Sequence, residues 1–156
     1  MRKLLLLALL LIGLGKISAQ DLALAAPNGS ITSPVSGCGL TATEIVTVRI
    51  FNFGATLPAA TSFNVSYTLN GGATVTELVT LAASFASNST FSYSFVTTAN
   101  LSAQGTYTID ATVSIAGDVS PANNTFTGYN VTNNSPSNGG TVASTQHVCI
   151  TANTGT

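Results

Sequence analysis

His147 and Cys149 stand two residues apart, which on an extended strand would put both side chains on one face. An imidazole beside a thiol is the pairing of a base with a nucleophile. The surrounding tail is rich in Thr and Ser, and His147 is the only histidine, so the pair reads instead as an exposed histidine near a structural cysteine. A second candidate is Asp118 with Asn123 and Asn124, whose oxygens could line a small loop able to hold Ca²⁺. Calcium draws about six to eight oxygens, usually from more than one carboxylate, and the same residues suit a turn capped by its own side chains. The capped turn is the preferred reading, and Ca²⁺ is the one ion left open. The carboxylates Asp21, Glu44, Glu77, Asp110 and Asp118 are isolated in sequence, whereas paired-acid chemistry needs two held roughly 5 to 10 Å apart. The Gly-rich pieces at Asn70-Gly71-Gly72 and Asn138-Gly139-Gly140 lack the strand, helix and lysine of a phosphate loop and read as turns. Two cysteines and one histidine so spaced do not make a metal site. The expectation is a protein that is not an enzyme, with no catalytic, cofactor-binding or metal-ligating residue.

Arg49, inside the apolar run VTVRIFNFG, is the one cation left once a basic amino terminus is set aside. Its parity decides its role. Val46, Val48 and Ile50 share the inward face of a strand, so Thr47 and Arg49 face outward, the aliphatic stem of Arg49 covering apolar surface. Phe51 and Phe53 follow Arg49 by parity, which predicts that the pleat ends near Asn52-Phe53-Gly54 with a bend re-aiming at least one ring.

Period-two alternation runs through the rest of the chain. In Ser62 to Leu69 the apolar residues are Phe63, Val65, Tyr67 and Leu69, and Asn70-Gly71 then supplies the positive backbone angles of a tight hairpin. The returning strand, Thr74 to Leu81, carries Glu77 on the parity of Val75 and Val79, which an edge strand tolerates. Ser89 to Thr97 alternates around Phe91, Tyr93 and Phe95, and Thr106 to Ile115 around Tyr107, Ile109, Ala111 and Val113. A turn cluster from Gly117 to Asn124 leads into a last strand, Asn124 to Val131, with a bulge at Gly128. Asp21 to Ala26 makes a short first strand, followed by an irregular connection through Pro34 and Gly37. No window after residue 20 combines a helical period with caps. The fold class is all-β, an antiparallel immunoglobulin-like sandwich of about seven strands, with a closed barrel as the alternative. Asn100 to Tyr107 suits the corner between the fifth and sixth strands, where Tyr107 would send its hydroxyl back to the backbone; an ordinary core tyrosine is the other reading.

Arg2 and Lys3, the apolar run Leu4 to Leu14 and the small residues before Gln20 form a secretory signal peptide over residues 1–19. The apolar run is too short for a membrane anchor, which needs roughly 18 residues, so no membrane span is expected after cleavage. Removal leaves Arg49 against five carboxylates, a net charge of −4, which excludes a basic nucleic-acid footprint. Export would bring Cys38 and Cys149 into an oxidising compartment, where their pairing would close a loop worth about 4 to 5 kcal/mol in the chain-entropy model. The sequons at Asn64, Asn88 and Asn130 are those expected by chance in so Asn-, Ser- and Thr-rich a chain.

The segments DLALAAPNGSITSPVSGCGLTATEIVTVRIFNFG, SFNVSYTLNGG and NLSAQGTYTIDATVSIAGD with PANNTF resemble the bacterial cell-adhesion-related domain (CARDB), a secreted immunoglobulin-like sandwich. The resemblance covers Asp21 to Thr132 and rests on Asn52-x-Gly54, Gly105-x-Tyr107, and Asp118 followed by Asn123-Asn124. It implies an exported module of a bacterial surface or adhesin-type protein, with no catalytic residue or ligand site to carry over. The implied partner is a cell-surface or matrix protein or a glycan. An accessory carbohydrate-binding module of a secreted hydrolase is the alternative. The resulting organisation is a signal over 1–19, a sandwich over 20–132, a linker over 133–140, and 141–156 as a disordered tail or the truncated start of a further repeat. In the repeat reading Cys149 would have its partner further along, in competition with a bridge to Cys38.

Overall fold

The computed structural model describes residues 19–135. The expected signal up to residue 18, the tail with His147 and Cys149, and residues 136–140 of the expected linker lie outside the described residues.

Among the described residues nine strands make two sheets. In the first, β4 (Thr47–Asn52) is central. On one flank it pairs along its whole length with β7 (Ser89–Ser94). Its other flank is shared end to end by β1 (Leu22–Ala23) and β2 (Ser30–Ser33), which pair with opposite ends of β4. The second sheet runs in the order β3, β9, β8, β5, β6, formed by Gly37–Cys38, Thr125–Asn134, Gly105–Ser114, Ser62–Leu69 and Val75–Thr80. All its neighbours are antiparallel except β3 and β9.

Alternation places the core. Val48 and Ile50 of β4, Phe63, Val65 and Tyr67 of β5, Ile109, Ala111 and Val113 of β8 and Val131 of β9 are all buried in one apolar cluster. Thr and Ser take the opposite parity, and pairs such as Ser62 with Thr80, Thr106 with Thr132 and Thr112 with Thr125 join their hydroxyls across strands at 2.9 to 3.1 Å. Each hydroxyl thus satisfies a neighbour while staying on the wet face, which is how a nearly uncharged domain keeps a polar surface.

Three expectations are corrected. The connection after the first strand contains β2 and β3, which alternation could not show, because only Ile31 of β2 is buried and β3 has two residues. Residues 133 and 134, expected in a linker, belong to the sandwich: β9 runs through Asn134, and Asn133 is 3% exposed, on the same parity as Val131. β4 ends at Asn52 with a bend at Gly54 and Ala55, as expected, but the bend re-aims neither ring into the core: Asn52 is fully buried, while Phe51 is half-buried and Phe53 44% exposed, their rings 4.5 Å apart.

Candidate functional site

The outer face of the first sheet gathers the residues most suited to contact a partner. Arg49 sits mid-strand between Ser30 of β2 and Ser92 of β7. Phe51 follows it beside Thr90, and Phe53, 44% exposed, stacks at a tilt on Phe51. Ala23, across from Phe51 on the other flank, is buried. The half-buried guanidinium leaves Nε without a hydrogen-bond partner, and so does Oγ of Ser30, its cross-strand neighbour. Both atoms are buried beneath the face, so what the face offers a partner is the aromatic pair beside a cation.

The carboxylates are brought to no common centre with one exception, and each ties the backbone down. Glu44 accepts from the N–H and the hydroxyl of Thr41 at 2.7 and 2.9 Å. Asp110 accepts from the Gly128 N–H at 2.7 Å, which fixes the bulge where β8 and β9 lose register. Asp118 Oδ1 accepts from the Ser120 N–H, closing the turn, while its Oδ2 accepts from the Leu22 N–H and the Asn124 amide. Asp21 accepts from the Asn123 amide at 2.9 Å. Asp21 and Asp118 are the exception only through the backbone, Asp118 Oδ2 accepting the N–H of Leu22, the residue after Asp21.

Glu77 is an edge residue that works across the sandwich. From β6 its carboxylate reaches the other sheet, accepting from the Tyr93 hydroxyl at 2.7 Å and the N–H groups of Val96 and Thr97 at 3.0 and 2.7 Å. Burial pushes its pKa up, but the bonds from Thr97, Tyr93 and Val96 outweigh that and hold the pKa below the usual carboxylate value. Burial, then the bond and charge of Glu77, push the Tyr93 hydroxyl up to about 12. The signs differ at the two ends of the pH scale. The depressed Glu77 contributes stability above its unfolded value, lost as pH falls through the folded one; the raised Tyr93 contributes below about 10, lost as pH rises towards 12. Glu77→Gln is expected to cost about 1 to 2 kcal/mol at pH 7, since an amide nitrogen would oppose N–H donors, and to flatten the acid limb of the stability curve. Urea titrations from pH 3 to 7 would refute this by giving parallel curves for the two proteins.

Asn52, Gly54, Gly71, Tyr107 and Asn124 all lie at joints of the fold. Asn52 donates from Nδ2 to the carbonyls of Ala55, Phe85 and Ala86 at 3.0 to 3.2 Å. A Cβ on Gly54 would sit 2.6 Å from the Ala19 carbonyl oxygen and the Asp21 nitrogen, so the first strand can lie there only against glycine. Asn70 and Gly71 both take positive φ, 52° and 65°, at the hairpin of β5 and β6. The Tyr107 hydroxyl donates to the Ala103 carbonyl at 2.8 Å. Asn124 is 6% exposed. Sequence reasoning missed Asn133, whose Oδ1 accepts from the N–H groups of Gly39 and Leu40 and whose Nδ2 donates to the Leu101 carbonyl at 2.8 Å. Its signal was the parity of Val131, masked by the polar run that follows. Cys38 is disulfide-bonded, and Cys149 lies outside the described residues. An apolar notch of about 340 Å³ beside Leu81, Phe85 and Phe91 contains no ionisable side chain.

Among solved structures the chain is similar to a CARDB domain. The crystal structure of the CARDB domain of the PF1109 protein in complex with di-metal ions, from Pyrococcus furiosus, has a TM-score of 0.44 at 20% identity, covering 76% of this chain and 96% of that one. The solution structure of the same domain gives 0.44 and 20%, with 76% and 98% covered. No family model and no curated protein matches the chain. No helix among the described residues is long and apolar enough to cross a membrane.

Proposed function

We propose that this protein is a non-enzymatic extracellular module of a bacterial surface or adhesin-type protein, spacing or presenting neighbouring domains and engaging a protein or glycan. The use of its carboxylates carries the reading. Asp21, Glu44, Glu77, Asp110 and Asp118 each accept hydrogen bonds that lock a turn, a bulge or a strand junction. Acids so occupied are acceptors for the fold, where general acid or base work would need one aimed at a substrate. The apolar run at the amino terminus supports export. Thr- and Ser-lined faces suit a rigid spacer that stays soluble without charge.

A glycan-binding role is favoured by one specific observation, the Phe51–Phe53 pair beside Arg49 on an outer face. Sugar rings stack on exposed aromatic surface and take hydrogen bonds from a guanidinium. On a glycan array the full chain is expected to show one selective class, with Phe53→Ala weakening it about ten-fold and leaving Tm unchanged. No selective binding by the folded protein would leave the spacer role, and binding indifferent to Phe53→Ala would place the contact elsewhere.

A further inference from the structure

We propose, resting on the glycan reading above, that the outer face of the first sheet takes an acidic glycan: a sugar ring stacks on Phe53 while a carboxylate on the sugar pairs with Arg49. The two sheets divide the charges of the sandwich between them. The strands of the first carry Arg49 and no acid. The strands of the second carry Glu77 and Asp110 and no base.

The cation is uncommitted. Asp21, Glu44, Glu77, Asp110 and Asp118 are held elsewhere by the hydrogen bonds described above, and none of them pairs with Arg49. Its Nε is buried without a partner, so the half-buried guanidinium has given up part of its hydration with no counter-charge to offset the loss. The Nη groups are what a ligand can reach. A carboxylate laid across them would make two parallel charge-assisted hydrogen bonds, stronger at a half-buried site than in open water.

The surroundings select a sugar as the carrier of that carboxylate. Arg49 and Phe51 are two residues apart on one face, roughly 7 Å along the strand, a separation of the order of one sugar unit. Phe51 supports the Phe53 ring, which is 44% exposed and free to stack. Across from Arg49 and Phe51 on β7 stand Ser92 and Thr90, both exposed, whose hydroxyls match those of a sugar. Arg49 lies on a central strand, so an acidic peptide finds no free backbone beside it to pair with. One cation among five carboxylates suits one anionic group. A densely sulfated chain would bring many negative charges against a domain of the same sign. The ligand class is therefore an otherwise neutral glycan carrying a single sugar acid.

An array that pairs oligosaccharides bearing one uronic or sialic acid with the same oligosaccharides after carboxyl reduction tests this on the full chain. The acidic members are expected to bind, and reduction to weaken them about ten-fold or more. This comparison uses the parent protein, so it stands whatever a substitution does to folding. Arg49→Gln should bind acidic and reduced members alike, Arg49→Lys, which keeps the charge and loses the planar fork, should fall between, and Phe53→Ala should weaken both members of each pair. The proposal is overturned by reduced members binding as tightly as acidic ones, by densely sulfated chains competing them off, or by Arg49→Gln keeping the acidic preference. Binding of neutral glycans alone, lost in Phe53→Ala, would overturn the acidic ligand and keep the glycan reading; no selective binding of any glycan would end both.

Discussion

Asn133→Ala is expected to lower the unfolding free energy by about 3 to 4 kcal/mol, the largest loss expected from any one polar side chain of the sandwich. The side chain is 3% exposed and sits where β3, β9 and the segment before β8 converge. Truncation strands the N–H groups of Gly39 and Leu40 and the Leu101 carbonyl, and weaker bonds to the carbonyls of Leu40 and Ser102 at 3.3 and 3.2 Å are lost with them. No side chain of alanine's size can replace either amide atom. Asn133→Asp keeps the acceptor and removes the donor while burying a charge against carbonyl oxygens, so it should be at least as damaging at pH 7 and partly relieved below pH 4. Urea midpoints with an unchanged m-value would measure both. A loss under about 1 kcal/mol for the alanine variant would mean that the loops repack without Asn133.

Asn52→Ala is expected to cost about 2 to 3 kcal/mol. The same logic applies with smaller terms. The Nδ2 atom holds three carbonyls, those of Ala55, Phe85 and Ala86, and joins the end of β4 to the loop before β7. Its Oδ1, however, is buried without a partner, so truncation also removes an unpaired acceptor and recovers part of the loss. That difference is why Asn133 should exceed Asn52 although Asn52 is the more buried of the two. Equal losses measured side by side would show that the orphaned oxygen carries no cost.

Both residues belong to a pattern in this protein. Asn52, Asn124 and Asn133 are the buried polar side chains among the described residues, and each sits where a strand gives way to a loop. With so few charges to spend, the fold satisfies its loop backbones by amides. An asparagine offers a donor and an acceptor on a short stem, without the desolvation cost of a carboxylate.

The alternation of Ser62 to Leu69 and of Thr106 to Ile115 was enough to define β5 and β8 and their inward faces, because one buried face imposes a period of two on the residues themselves. The hairpin at Asn70-Gly71 and the bulge at Gly128 were equally legible, since both need backbone angles that few residues adopt, and Gly71 and Gly128 take φ of 65° and 75°. The same parity placed Arg49 on an outer face. What remained hidden depends on contacts between distant segments. Nothing local distinguishes Asn133 from its polar neighbours until the loops at Gly39 and Leu101 close around it. Glu77 could be read as an edge charge, but its partners are Tyr93 of the opposite sheet and Val96 and Thr97 in the bend that follows β7. Asp21 and Asp118, 97 positions apart, share a peptide only because the first strand lies against the Asp118–Asn124 loop. Local periodicity is written residue by residue and so survives in the sequence. Hydrogen-bond partnership across a sandwich is a property of how the two sheets pack, and it exists only once they have.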